Sequence, residues 1–231
     1  MAKKKKTRKE LLKEPDEFIT LTGRAINFVR GYQNQISYFL VAIAAIALIF
    51  FGYRFFAQRA ENKAFAILGQ TQAKYETLKK ASSATEAYSQ VSEAFQGILK
   101  KYGGNAGGKL ARLIFANISY DAAKYDNAIT LYKQSLSDFK DDKLVYNLIL
   151  GNLGYAYQQI QDEQNAATFF EKAASATNST ICEESLFNLG FIYKKLGETA
   201  KGQQALQKII NDYPNSIYGD MVEEELAALK K

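Results

Sequence analysis

The chain of 231 residues contains no histidine, no tryptophan, one cysteine and two prolines. Each shortage closes off something. Without histidine, nucleophile–base triads built on an imidazole are excluded. With a single thiol and no histidine, the usual zinc and iron ligand sets are missing too. One cysteine cannot close an internal disulfide, so Cys182 fixes no redox compartment and reads as a small buried hydrophobe. The two prolines fall at boundaries: Pro15, with Asp16 and Glu17, opens one helix, and Pro214 closes another. No catalytic residues, no cofactor and no small-molecule substrate are expected, and the chain reads as a non-enzyme.

What the sequence does have is one long apolar run. No charge occurs from Gly31 to Tyr53, and Ile36 to Phe51 is nearly all apolar. Crossing ~30 Å of hydrocarbon takes about 20 such residues, so residues 31–56 are expected to form a single transmembrane helix. Tyr32, Tyr38, Tyr53, Phe55 and Phe56 flank it as interfacial aromatics. A cleaved signal peptide fits poorly, because a long segment precedes the run and LIFFGYRFF offers no small-residue cleavage site. Residues 1–30 hold nine Lys/Arg against four Asp/Glu, whereas the remainder is nearly balanced at 21 against 20. The positive side stays cytoplasmic, which places residues 57–231 on the far side of the membrane. Arg54, Arg59 and Lys63 at the other end pull the opposite way.

Within the basic tail, Phe18, Ile19, Leu21, Ala25, Ile26, Phe28 and Val29 share one side of a helix, and Thr20, Gly23, Arg24, Asn27 and Arg30 share the other. Phe18, Leu21 and Phe28 are therefore candidates for an interface, either with lipid beside the anchor or with another membrane protein. The run KKKKTRKELLK suggests nucleic acid in isolation, but beside a membrane helix it reads as a topology signal that also touches anionic lipid.

Two other motifs dissolve on inspection. Gly103 to Lys109 matches the G-x-x-x-x-G-K part of a phosphate loop, but Leu110 stands where Ser or Thr must hold magnesium, and a helix precedes it where a strand is needed. It is expected to be a turn whose glycines end one helix before the next. The acid pairs Asp141-Asp142 and Glu183-Glu184 sit at expected helix starts, where carboxylates suit the helix dipole, rather than forming a metal site.

The remaining length, about 170 residues, suffices for one domain, and it is repetitive. Around Gly154 the sequence reads NLGYAYQQIQDEQNAATFFEKA, and 36 residues later, around Gly190, NLGFIYKKLGETAKGQQALQKI. Leu153 and Tyr157 lie four apart on one helix face; Gly154 and Ala166 remove bulk where two antiparallel helices come closest; Phe170 and Ala173 alternate large with small. Leu189, Gly190, Tyr193, Gly197, Gly202, Leu206 and Ile209 repeat the arrangement, which ends at Tyr213-Pro214. An earlier unit has Ala116 in the glycine position with Ala128, Tyr132 and Ser135 on its second helix, and Ser119 where a tyrosine is expected, for which Tyr120 is a candidate substitute. A weaker unit precedes it, with Val91, Phe95 and Ile98, and Ser216 to Leu229 reads as a charged capping helix.

This pattern resembles the tetratricopeptide repeat, a helix–turn–helix of about 34 residues. The resemblance implies an all-α protein: one transmembrane helix, then a tetratricopeptide-type α-solenoid with a C-terminal cap. It also implies a partner-binding groove lined by the first helices of the pairs. In this chain the groove positions correspond to Asn117 and Tyr120, then Tyr155 and Gln158, then Phe187, Phe191 and Lys194. Members that grip a C-terminal carboxylate use basic residues with two asparagines. Asn117 and Asn152 match those asparagines, but Leu113, Glu184 and Asn188 stand where the basic residues belong. An aromatic and amide groove suited to apolar or extended peptide is what remains, unless Phe187 and Phe191 simply pack against the last helix.

The basic tail with DEFITLTGRAINFVR, the anchor ending FFGYRFF and the repeats together are similar to the family of the ancillary subunit of the SecYEG translocon. That resemblance implies a bacterial inner-membrane protein with a periplasmic repeat domain. It implies as partners translocon subunits, a periplasmic chaperone or membrane-bound prolyl isomerase, and exported chains, besides membrane lipid through the anchor. A scaffold for envelope assembly or division is the alternative, and a nucleic-acid or lipid-surface role of the lysine tail a further one.

Overall fold

Apolar residues recurring three and four apart build helices, and the computed structural model, which describes residues 17–175 and 180–228, contains ten of them and no strand among those residues. The basic run with Pro15 and Asp16, and Leu229 at the other end, lie outside the described residues, as do the side chains of 17–20, Phe18 included. The chain divides into two units, Met1–Gln58 and Arg59–Lys231.

In the first unit, α1 (Glu17–Gly31) is separated from α2 (Gln33–Ala81) by Tyr32 alone. On the apolar face of α1, Leu21, Ile26, Phe28 and Val29 are each more than half exposed. Helix α2 is 49 residues long, and it is the one helix among the described residues long and apolar enough to cross a membrane. The helix runs on past residue 56, the end of the expected membrane segment, to Ala81. No proline or capping residue interrupts the change from apolar to amphipathic sequence, and Gly69, with nothing within 4 Å of an added Cβ, does not break it.

The second unit begins with the later part of α2, where Ala64, Leu68, Thr71 and Tyr75 are buried. Helix α3 (Ala84–Tyr102) follows, with Val91, Phe95 and Ile98 in the core. Three helix pairs come next: α4 (Ala106–Asp121) with α5 (Tyr125–Asp138), α6 (Lys143–Gln159) with α7 (Glu163–Ala174), and α8 (Thr180–Lys195) with α9 (Thr199–Asp212). Helix α10 (Gly219–Ala228) closes the stack. From α3 onward each helix packs on its successor, and α6 packs on α8 as well. The helix starts are sealed locally: Ser83, Asn105, Asp142 and Asp162 each accept a backbone N–H of the first turn through the side chain.

The small residues act where pairs close. A Cβ on Gly202 would lie 2.7 Å from the Gly190 carbonyl oxygen, so backbone meets backbone between α8 and α9. At Gly154 the ring of Phe170 stands 2.8 Å from where a Cβ would be, and Ala166 is fully buried. Gly107 and Gly108 depart from expectation. They lie inside the first turn of α4 rather than ending α3, and glycine is needed there because Cβ atoms would come within 2.8 Å of Ala64 and 1.8 Å of the Tyr102 carbonyl.

All three pairs turn in the same way. Ala123, Gln161 and Gly197 have φ of 56°, 62° and 76°. The next amide in each case reaches back five residues, Lys124 to the Ser119 carbonyl, Asp162 to that of Tyr157, and Glu198 to that of Tyr193, at 2.8–3.0 Å. These are helix C-termini closed by a left-handed residue. Two corrections concern side chains and ends. Tyr120 does not replace the ring missing at Ser119. Ser119 is itself buried, donating to the Phe115 carbonyl at 2.6 Å and accepting from Asn127 at 2.9 Å, while Tyr120, about 100° further round, meets Tyr125. The cap starts at Gly219, not Ser216, because the Ser216 hydroxyl and carbonyl accept the Tyr218 and Gly219 amides in a turn.

Candidate partner-binding face

The first helices of the pairs, α4, α6 and α8, carry polar side chains that tie successive pairs together on one face. The Asn117 amide oxygen accepts from the Tyr132 hydroxyl at 2.7 Å and from the Asn152 amide at 3.4 Å. One pair further on, the Tyr155 hydroxyl donates to Glu184 at 2.6 Å and accepts from Asn188 at 2.9 Å. The Tyr155 ring meets Phe170 edge-on, with centroids 5.0 Å apart. Burial first, and then the Glu184 carboxylate, hold the Tyr155 phenol well above its ordinary range; burial does the same for Tyr132. A phenol kept neutral beside a carboxylate is a donor, and it aligns α6 with α8.

Sequence-derived positions thus differ in availability. Asn117 is exposed, and Tyr120, Tyr155 and Gln158 are half-buried. At the last pair the C-terminal segment reaches the same face. Phe187 stacks on Tyr218, with centroids 4.5 Å apart and planes 23° from parallel, and touches Phe191 at 4.9 Å. Lys194 forms an ion pair with Glu225 of α10. Leu113, in a position where carboxylate-gripping relatives are basic, is buried.

Leu144 and Leu148, 70% and 44% exposed, were not singled out by sequence reasoning. They sit one helical turn apart at the start of α6, with Leu148 one turn before Asn152. The available signal was an i, i+4 apolar pair that the repeat pattern leaves out of its core positions. On α1, Leu21 and Phe28 are exposed, and the Phe28 ring lies 4.8 Å from that of Tyr32.

Other candidate chemistry has structural employment. Asp142 caps α6, Glu183 lies in the first turn of α8, and Glu184 holds Tyr155. Among the described residues no cluster of three or more His, Cys, Asp or Glu is placed to hold a metal ion. The Cys182 thiol is buried, donating to the Ala174 carbonyl and accepting from the Tyr213 hydroxyl, each at 3.0 Å.

Comparison with known proteins agrees with this architecture. Residues 28–149 match the tetratricopeptide repeat-like domain, and residues 149–180 and 184–216 each match a tetratricopeptide repeat. A tetratricopeptide repeat protein from Parabacteroides merdae ATCC 43184 superposes with a TM-score of 0.56 at 16% identity over 71% of this chain. The chain spans 60% of that protein's length. BtubC (BKLC) from P. vanneervenii gives a TM-score of 0.50 at 12% identity, covering 75% of this chain and 82% of its own. At such identities the likeness is one of fold. No curated protein matches the chain.

Proposed function

Because this chain belongs to the tetratricopeptide repeat-like domain family, whose repeats are protein–protein interaction modules, we propose that it is a membrane-anchored adaptor that holds partner proteins at the bacterial inner membrane. Its N-terminus is cytoplasmic and its repeat domain periplasmic. The observation that carries this reading is the continuity of α2, in which a membrane-length apolar segment and the first core positions of the repeat domain belong to one helix. The basic excess of residues 1–30 supports the orientation.

Asn117, Leu148 and Gln158, with the edges of Tyr120 and Tyr155, form the face on which the partner docks. Exposed leucine beside amides suits an extended segment with apolar side chains, since amides can pair with its backbone while leucine covers its side chains. In the secretory setting suggested by the tail and anchor, such segments belong to exported chains, to translocon subunits or to a periplasmic chaperone or prolyl isomerase. A photo-crosslinking residue at Leu148 in intact bacterial cells tests this. Adducts with those proteins support the secretory reading. Adducts with cell-wall or outer-membrane assembly proteins would replace it with an envelope scaffold built on the same fold.

A further inference from the structure

Helix α1 is 15 residues long and carries an apolar half that is exposed at its described residues. Its described members Leu21, Ala25, Ile26, Phe28 and Val29 are all exposed. At about 100° per residue they occupy one side of the helix, and Arg24 and Arg30 stand at the two edges of that side. Glu17, in the first turn, is the one acid of the helix. A single interrupting residue, Tyr32, links α1 to the membrane-length part of α2, and the Phe28 and Tyr32 rings pair across that junction.

We propose that α1 lies in the headgroup layer of an anionic phospholipid bilayer. Its apolar half faces the acyl chains, and Arg24 and Arg30 extend outward to lipid phosphates. Long cationic side chains bordering an apolar face can bury their stems and keep their charge at the phosphate level. The basic excess of residues 1–30, nine against four, adds attraction to an anionic surface within a Debye length. The chain turns from the interface into the membrane at Gly31-Tyr32, where the helix is interrupted and glycine supplies the freest backbone. A protein docking on α1 would have no need of cations on both borders of the apolar side, whereas a phosphate layer meets both. The proposal rests on the reading that the apolar part of α2 crosses the same bilayer.

The absence of tryptophan makes the test direct, because one introduced indole reports alone. The full-length Phe28→Trp variant is reconstituted into phosphatidylcholine vesicles with and without phosphatidylglycerol, using lipids brominated near the headgroup or near the chain end. A separate Phe50→Trp variant reports on α2. The expected result is blue-shifted Phe28→Trp emission, quenched more strongly by the shallow bromine than by the deep one. Phosphatidylglycerol should strengthen the quenching, and adding Arg24→Glu and Arg30→Glu should abolish that dependence. Unquenched, water-like emission from Phe28→Trp while Phe50→Trp is quenched overturns the proposal and leaves the α1 face to a protein partner. Equal quenching with and without phosphatidylglycerol overturns the anionic part. Failure of Phe50→Trp to be quenched instead removes the membrane-spanning reading itself.

Discussion

Gly202 offers the sharpest test of how the repeat pairs close. In an open helix, glycine to alanine is stabilising by about 1 kcal/mol, because alanine restricts the unfolded backbone. Gly97 on α3 is such a site, with nothing within 4 Å of an added Cβ. At Gly202 the same methyl would stand 2.7 Å from the Gly190 carbonyl oxygen, and a backbone atom cannot rotate away. Helices α8 and α9 must then separate by roughly 0.5–1 Å, a gap that forfeits a quarter to a half of each contact along the seam. Overpacking of this kind costs about 1–3 kcal/mol. Set against the propensity gain, Gly202→Ala should be destabilising by up to ~2 kcal/mol. For a unit of this size, each kcal/mol moves the melting temperature by about 2–4 °C. Far-UV circular dichroism melts of the full chain in detergent should show Gly97→Ala melting higher than the parent and Gly202→Ala melting lower. Parallel increases in both would refute the close approach of α8 to α9.

Other expectations follow from the turns, the tyrosines and the cap. Gln161→Gly and Ala123→Gly should each raise the melting temperature, since left-handed backbone costs an L-residue about 1–2 kcal/mol and glycine almost nothing, while Gly197→Ala should lower it. Tyr155→Phe should be destabilising by about 1–2 kcal/mol, because Glu184 and Asn188 lose their shared partner. Tyr132, Tyr155 and Tyr193 all hold their protons above the ordinary tyrosine range, chiefly through burial. The unfolded chain releases those protons at about pH 10 while the folded chain keeps them, so stability should be intact below that value and fall as pH rises through and beyond it. Tyr155→Phe should make that alkaline loss shallower in urea titrations. Phe187→Ala removes the platform for Tyr218 and should speed amide exchange in α10 with little effect on α4 and α5.

Much of the repeat architecture was legible because it rests on spacing. Leu153, Gly154 and Tyr157 recur as Leu189, Gly190 and Tyr193, and all six are buried. The continuity of α2 was legible in part: the run ENKAFAILGQTQAKYETLKK favours a helix, and Gly69 counts against it. Side-chain partnerships were harder. Ser119 and Asn127 lie eight residues apart and are joined by a hydrogen bond, a partnership that no single-position pattern encodes. The left-handed turns at Ala123 and Gln161 carry no glycine; their conformation is imposed by the bond five residues back. At the candidate face, Asn117 and Tyr155 could be placed from the repeat pattern, but not their bonds to Tyr132 and Glu184, which depend on how neighbouring pairs register. The pairing of Phe187 with Tyr218 and of Lys194 with Glu225 depends on a chain reversal after Pro214 that composition alone does not aim.

The most direct test of a protein-binding face on the first helices compares two photo-crosslinking sites in intact cells. One is at Leu148 on α6 and the other at exposed Lys208 on α9, the second helix of its pair. Discrete protein adducts from Leu148 that are absent from Lys208 are expected. Equal adduct patterns from both sites, or adducts from Lys208 alone, would contradict binding on that face.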